Sequence, residues 1–474
     1  MLFNSFSFLV YFLPISLIGY FISGKIGEKA NRYFLILISA VFYFVNGLEA
    51  TAVLCISIIV TLFLSGKIKS SSSHKSAWLT VGIVFQILLL GYFKYADFFA
   101  GIVHASISHS IVLPLGISFF TFQQIAWLVD TRNGKTADFS VSDYLINILY
   151  FPKILMGPLV DPADFINSLH DPKRLSPDSD NLSKGIQMFC LGLFKKMWLA
   201  DKLANYVAQG FNNTLAMTAG DIVFVMILYS LQIYFDFSGY TDMATGISEM
   251  MNIPLPINFD SPYRAISIRD FWNRWHVSLT RFLTKYVYIP LGGNRKGSFR
   301  TCVNVICVFL VSGIWHGANW TFILWGLLHG ILSVLDRFTS RVQDHVPKPV
   351  RWFFTMMLVN LLWLLFRSES IEQWWELVKA LFTLRGISSG GSGGVYYEIV
   401  QVLMGIPYES MSTLKYFLGW FAVPVTGYGF CILVKNNYRR NYSTNLLSLV
   451  VSVALFLLCV VNLNGATTFI YNNF

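Results

Sequence analysis

The chain has 474 residues, 55% of them hydrophobic and only 13% charged. Soluble domains carry about 25% charged residues, so this composition excludes a soluble globular protein and requires a surface that faces lipid. The net charge of +10 does not point to nucleic acid, because the cations fall between apolar runs, where they set topology and attract anionic headgroups.

Apolar runs of spanning length fall at 5–24, 33–48, 50–66, 77–93, 111–128, 142–160, 186–209, 220–238, 300–314, 318–336, 350–367, 414–434 and 445–463. Some are interrupted or amphipathic, so roughly ten to twelve true spans are expected, with one or two segments that enter without crossing. The first run has no basic segment before it and no small-residue cleavage site after it, and is expected to stay as a span. Lys25, Lys29 and Arg32 follow the first run and Lys67, Lys69 and Lys75 the third, whereas Asn46 to Glu49 has no cation. Positive-inside bias therefore places the N-terminus outside. Asp161 to Lys184, with Pro162, Pro172 and Pro177, reads as linker-like, and Gly386 to Gly394 as a mobile Gly/Ser-rich stretch. The six cysteines are scattered without CxxC spacing, which indicates packing rather than disulfides or metal.

The segment from Tyr234 to Gly330 departs from an ordinary bundle. Asp236, Ser238 and Asp242 lie near membrane depth, where a charge costs at least about 2.5 kcal/mol and is normally paired or lines a wet cavity. With Gly239 beside them, a partly unwound or re-entrant segment is expected, against the simpler reading of a loop that reaches the interface. Arg264 to Lys296 is dense in cations (Arg264, Arg269, Arg274, Arg281, Lys285, Arg295 and Lys296), and from Asp270 to Tyr288 Phe271, Trp275, Leu279 and Phe282 share one helical face opposite a basic one. This predicts an amphipathic helix lying at the interface. Its cations serve chiefly as anchors, a few of them holding an anionic acyl donor or a partner. Pro290 and Gly292-Gly293 then predict a sharp turn.

His316 follows a spanning run, between Gly313 and Gly317, which permit close backbone approach to a helix or a substrate. Desolvation keeps a buried imidazole neutral, the form a general base requires. On composition alone His316 reads equally as a base and as a hydrogen-bonded packing residue. His276 is the second histidine of interest. His329, 13 residues beyond His316, would face nearly away from it on a continuous helix of about 100° per residue, and is assigned to packing. There is no HExxH, GxSxG or Walker loop and no metal-spaced His/Cys cluster. A base in a cavity, with the nucleophile supplied by the substrate, is what remains.

Three motifs, Asp270-Phe-Trp-Asn-Arg-Trp-His-Val-Ser-Leu279, Tyr288-Ile-Pro-Leu-Gly-Gly-Asn-Arg295 and Gly313-Ile-Trp-His-Gly-Ala-Asn-Trp320, resemble the membrane-bound O-acyltransferase (MBOAT) family in its bacterial, alginate-acetylating branch. Phe3-Asn-Ser-Phe6, Leu113 to Phe122, Phe151 to Pro158, Tyr234 to Tyr240 and the tail Thr468 to Phe474 agree. The resemblance implies an all-α, polytopic membrane domain over residues 1–474: N-terminal spans to 160, a catalytic core at 185–340 and C-terminal spans from 350. It implies about eleven transmembrane helices, with re-entrant and interfacial helices around a central tunnel. It makes His316 the catalytic histidine and His276 the second functional position. Asp236, Ser238, Arg274, Trp275, Trp315 and Asn319 are expected to line the substrate cavity.

The resemblance also implies residence in the bacterial cytoplasmic (inner) membrane and acetyl-CoA as acyl donor, with no bound cofactor or metal. The partners it implies are the bilayer, a periplasmic SGNH-type acetyltransferase and a polysaccharide biosynthesis complex. The acetyl group would end on a cell-surface polysaccharide or peptidoglycan. Teichoic acid D-alanyl transfer, an exporter that does not acylate and a non-catalytic scaffold are the other readings.

Overall fold

The computed structural model describes residues 1–103, 112–386, 422, 425–434, 436–440 and 442–463. The Gly/Ser-rich stretch beyond Gly386, the tail motif and about half of the 414–434 run lie outside these residues. Among the described residues the named elements are all helical, and the single β-type contact is a bridge between Phe259 and Trp275.

The N-terminal helices are α1 (Phe8–Ile26), α2 (Glu28–Phe44), α3 (Leu48–Ser70), α4 (Lys75–Ile102) and α5 (Ile117–Arg132). The short α6 (Val141–Leu149), α7 (Phe151–Ile154) and α8 (Pro162–Leu169) follow, then α9 (Ser179–Phe194), a π-helical turn (Lys195–Ala200) and α10 (Asp201–Asn212). The centre holds α11 (Ala219–Met250), α12 (Ile268–Arg274), α13 (Val277–Leu283), α14 (Gly297–His316) and α15 (Trp320–Gln343). The chain continues through α16 (Lys348–Arg367), α17 (Ile371–Phe382) and α18 (Leu446–Val461). Seven of these, α1, α3, α4, α11, α14, α15 and α16, are long and apolar enough to cross a membrane. The run at 142–160 is not one continuous helix: the backbone turns at Tyr150 between α6 and α7, and Tyr150, Phe151 and Ile154 are wholly buried.

Burial separates centre from periphery. Only 11% of the apolar window of α4 is buried, against 89% for α11. Lipid-facing helices turn Ile15, Ile18 and Ile22, or Ile56, Ile59 and Phe63, outward, as a bilayer-solvated surface demands. Helix α11 is the post on which the bundle assembles. Its buried carboxylates sit in regular helix, so the unwound segment expected at Tyr234–Met243 does not form. The reason is neutralisation from the π-helical turn beside it. Lys195 Nζ lies 2.7 Å from Asp242, and Lys196 Nζ lies 2.7 Å from both Asp236 and Asp201, pairing that makes intramembrane charge tolerable. Gly239 serves close packing instead: a Cβ there would stand 2.8 Å from the Gly192 carbonyl of α9.

The basic turns gather on one face. Arg32 pairs with Asp143, Lys69 donates to the carbonyls of Ala137 and Phe139, and Arg132 reaches Ser76. Lys285 on the same face bridges Asp130 and Asp161. Partial burial opposes its charge, but the two carboxylates outweigh this and hold the ammonium above its ordinary pKa. The linker-like stretch at 161–184 is folded against that face: Arg174, 3% exposed, donates to Leu169 O, Tyr20 Oη and Asn31 Oδ1. The opposite face carries the contacts of Tyr43 with Leu115 and of Arg385 with Thr214 and Met217.

Candidate active site

Helix α14 stops at His316 because Gly317 is extended and Asn319 starts α15 by accepting from Thr321 N–H at 3.0 Å. The two helices form an antiparallel hairpin closed by glycine. A Cβ on Gly313 would stand 2.3 Å from Phe322 O, on Gly326 2.4 Å from Phe309 O, and on Gly317 2.2 Å from the Phe322 ring. The glycines around His316 thus admit a neighbouring helix. Because the chain reverses at 317–319, the continuous-helix geometry assumed for His329 does not apply. His329 returns beside Trp325, 4.8 Å between rings, and Trp325 packs edge-on to His316 at 5.2 Å. Trp272 Nε1–H donates to His329 Nδ1 at 3.2 Å, so its packing role stands for a different reason.

The orphan carbonyls at the end of α14 are satisfied by a residue the sequence reading missed. Lys94 of α4 donates to Trp315 O at 2.7 Å, to His316 O at 2.9 Å and to Ser118 Oγ at 3.3 Å, the favourable placement of a cation at a helix C-terminus. Its signal was a lone ammonium within an apolar helix, the same anomaly that drew attention to Asp236. The His316 ring is buried, edge-on to Trp325 and Phe366 and 5.0 Å from Trp315. A pocket of about 60 Å³ reaches it between Lys94, Ser118, Leu155 and Trp315, room for a few waters.

His276 arrives from the other direction. The single interfacial helix expected over Asp270–Tyr288 is two helices with a break at Trp275–His276. The break accompanies an extended segment that bridges to it: Asp260 N–H donates to Arg274 O at 2.9 Å and Val277 N–H to Asn258 O at 3.0 Å. His276 takes φ 47°, sparsely populated for a residue with a Cβ. The apolar face of this pair is buried rather than resting on lipid headgroups, with Phe271, Trp275, Leu279 and Phe282 all 8% exposed or less. The predicted turn at Gly292-Gly293 forms, with φ values of 104° and 55°, and Asn304 clamps it by donating to Leu291 O and Gly293 O.

The hydrogen bonds around His276 fix its tautomer. Asn258 Oδ1 accepts from Ser278 N–H and Ser278 Oγ–H, so the 2.9 Å contact with His276 Nδ1 has Nδ1–H as donor. The lone pair is therefore on Nε2, which is buried and has no hydrogen-bond partner among the described residues. Trp315 joins the two histidines: its ring centroid is 6.2 Å from that of His276 and 5.0 Å from that of His316. His316 is within electrostatic reach of both His276 and Lys94. On the basic face a cavity of about 380 Å³ lined by Asp161, Arg281, Lys285 and Tyr286 ends at Ser278, beside Asn258. On the other, a cavity of about 560 Å³ meets Ala318, Asn319, Phe366 and Arg367, just past His316.

Of the residues expected to line the cavity, Trp315 is central. Ser238 is near: its Oγ is buried without a partner, and its neighbour Phe237 packs edge-on to His276 at 4.7 Å. Asp236, Arg274 and Trp275 are placed elsewhere. Asp236 is held by Lys196. Arg274 is tied to Asp270 and Asp260 O. Trp275 is 1% exposed in a cluster with Phe271, Phe259 and Trp363. Asn319 does line the cavity past His316, while its oxygen caps α15 and its amide donates to Glu369 O. Asn258, which orients His276, carried no sequence signal. Among the described residues no group of three His, Cys, Asp or Glu could hold a metal.

The model of the membrane-bound O-acyltransferase family matches residues 78–367, which contain both histidines. The chain is 38% identical to the peptidoglycan O-acetyltransferase of Helicobacter pylori, covering 82% of this chain and 81% of that one. It is 36% identical to the probable alginate O-acetylase AlgI of Azotobacter vinelandii, over 81% and 78%. It is 28% identical to the teichoic acid D-alanyltransferase of Bacillus subtilis, over 69% and 85%. With the family model matching well over half of it, this chain belongs to the membrane-bound O-acyltransferase family, as a multi-pass bacterial membrane acyltransferase.

Proposed function

We propose that the chain takes an acetyl group from acetyl-CoA at its basic, cytoplasmic face. It then passes the group across the membrane for O-acetylation of a cell-surface polysaccharide, either peptidoglycan or an alginate-like polymer. The observation that carries this reading is the meeting of two buried imidazoles on one indole, Trp315, with a cavity toward each face. The His316 imidazole accepts the proton of an acceptor hydroxyl. The freed oxygen attacks the thioester carbonyl, an O–C bond forms, the C–S bond breaks, and the CoA thiolate leaves to be protonated. His276, whose Nε2 accepts no hydrogen bond among the described residues, receives the proton in turn or orients the donor. The similarity to acetylating relatives supports acetyl as the group carried. In the cell the product passes to a periplasmic SGNH-type acetyltransferase within a polysaccharide assembly complex. About eleven spans around a central tunnel, forming one domain over 1–474, provide the path.

The test is acetyl transfer from labelled acetyl-CoA in proteoliposomes. His316→Ala should stay folded in the membrane and lose about 10²- to 10⁴-fold in rate, the usual worth of acid–base catalysis. Undiminished transfer by that variant rejects the assignment. Transfer from a D-alanyl thioester but not from acetyl-CoA would place the chain with its teichoic-acid relatives instead.

A further inference from the structure

One cavity among the described residues is separate from the two histidines. It is a groove of about 580 Å³ between the α12–α13 pair and the α14–α15 hairpin. One stripe of α14 forms its floor: Thr301, Cys302, Val305, Val308, Phe309 and Ser312. From Thr301 to Ser312 the floor runs roughly 16 Å at 1.5 Å per residue, the depth of one leaflet of a bilayer with a hydrocarbon core of about 30 Å. The opposing wall sets Trp272, Leu279 and Leu283 among the polar Asn273, Thr280 and Thr284. The inner end is closed where the rings of Trp272 and Phe309 meet at 5.2 Å. His316 does not line it.

The mouth has the opposite character. Asp270 is neutralised by Arg274 and Asp336 by Arg269. Arg337, exposed at the rim, takes part in none of the ion pairs among the described residues. Arg295, Lys296 and Arg300 stand exposed at the adjoining start of α14, beside Phe299, which is 83% exposed. This is the pattern of a segment seated in headgroups. Partway down the wall, Ser333 is 6% exposed and its Oγ has no hydrogen-bond partner among the described residues, although a buried hydroxyl ordinarily finds one.

We propose that this groove is a binding site for one anionic phospholipid of the basic-face leaflet. An acyl chain lies along the α14 stripe, the Ser333 hydroxyl donates to an ester carbonyl, and the phosphate rests on Arg337. The apolar lining suits a hydrocarbon chain and offers little to the amide-bearing arm of a CoA thioester. The unneutralised guanidinium favours a headgroup with net negative charge over a zwitterion, whose ammonium it repels. A lipid so placed braces α12–α13, and with them His276, against the hairpin that carries His316. The site is independent of the acyl-transfer assignment.

The full chain, purified in nanodiscs of equal phosphatidylglycerol and phosphatidylethanolamine, is extracted in mild detergent, and the lipid still bound is identified by native mass spectrometry. The expected result is one retained phosphatidylglycerol, favoured over phosphatidylethanolamine. Arg337→Gln should reduce that preference by roughly fivefold, the worth of one cation at a membrane surface, and Arg337→Lys should keep it. Val308→Trp, which fills the groove, should abolish retention of either lipid. Equal retention of the two lipids by the natural chain overturns the proposal, as does retention unchanged in both Arg337→Gln and Val308→Trp. Displacement of the bound lipid by acetyl-CoA would assign the groove to the donor and overturn it also. Arg337 is exposed and outside the packed core, so its variants decide the matter even if Val308→Trp does not fold.

Discussion

At the residue scale the site depends on groups that hold the histidines as much as on the histidines. Asn258 makes His276 an Nδ1–H tautomer with its lone pair on Nε2. Asn258→Leu releases that constraint, so acetyl transfer should fall on the order of 10²-fold, comparable to loss of a proton-transfer group. Membrane abundance should stay normal, and transfer at the natural rate would show that the tautomer does not matter. Lys94 acts through the end of α14. Lys94→Met removes a desolvated ammonium as well as its bonds to Trp315 O and His316 O, so stability changes little while the helix end loosens. Misplacement of catalytic groups by about 1 Å costs up to about 10²-fold, and the rate constant should drop by that order with KM little changed. Lys94→Arg, which keeps the charge on the carbonyls, should recover part of it; equal loss in both variants would mark a packing defect instead.

At the element scale, glycine and buried ion pairs decide which helices meet. The α14–α15 hairpin allows no Cβ at Gly313, which faces a backbone carbonyl rather than a flexible side chain. Gly313→Ala must push the helices apart, and overpacking of this kind costs about 1–3 kcal/mol. The expected outcome is a lowered melting temperature in detergent and reduced transfer, because His316 is displaced with α14. The π-helical turn after α9 has a different task. Lys196→Met leaves Asp236 and Asp201 buried without their ammonium, a change worth about 3–5 kcal/mol when one partner of a buried pair is removed. That variant should be scarcely detectable as a folded monomer on size-exclusion chromatography, whereas the exposed Lys379, paired with Glu376, should tolerate the same change.

At the scale of the whole molecule, the two faces are chemically distinct. The turns that join α1 to α2 and α3 to α4 lie with Asp130, Asp161 and Lys285 on the basic side, and the 46–49 turn lies on the other. Positive-inside bias makes the basic side cytoplasmic. A cysteine placed at Ser72 should therefore react with a membrane-impermeant maleimide only in inverted vesicles, and one at Glu49 only in right-side-out cells. The reverse pattern would invert the direction of transfer argued above.

The sequence by itself determined the solvent, the class and the family. An apolar surface, helical spacing and three motifs are local properties, and composition or a short stretch of chain suffices to read them. It also located His316, His276 and Trp315, and the glycine turn after Pro290. Tertiary structure alone decided what each polar group is used for. Asp236 and Asp242 looked like cavity residues because a lone buried charge must be answered, and the answering lysines, 195 and 196, lie some forty residues earlier on another helix. Arg274 and Asn319 are spent on an ion pair and a helix cap. Lys94 reaches its partners across more than two hundred residues, and the break at His276 is bridged by the extended segment at 258–260. Hydrogen bonds and ion pairs act over a few ångströms of space regardless of distance along the chain, so their partners are fixed only when the helices have packed.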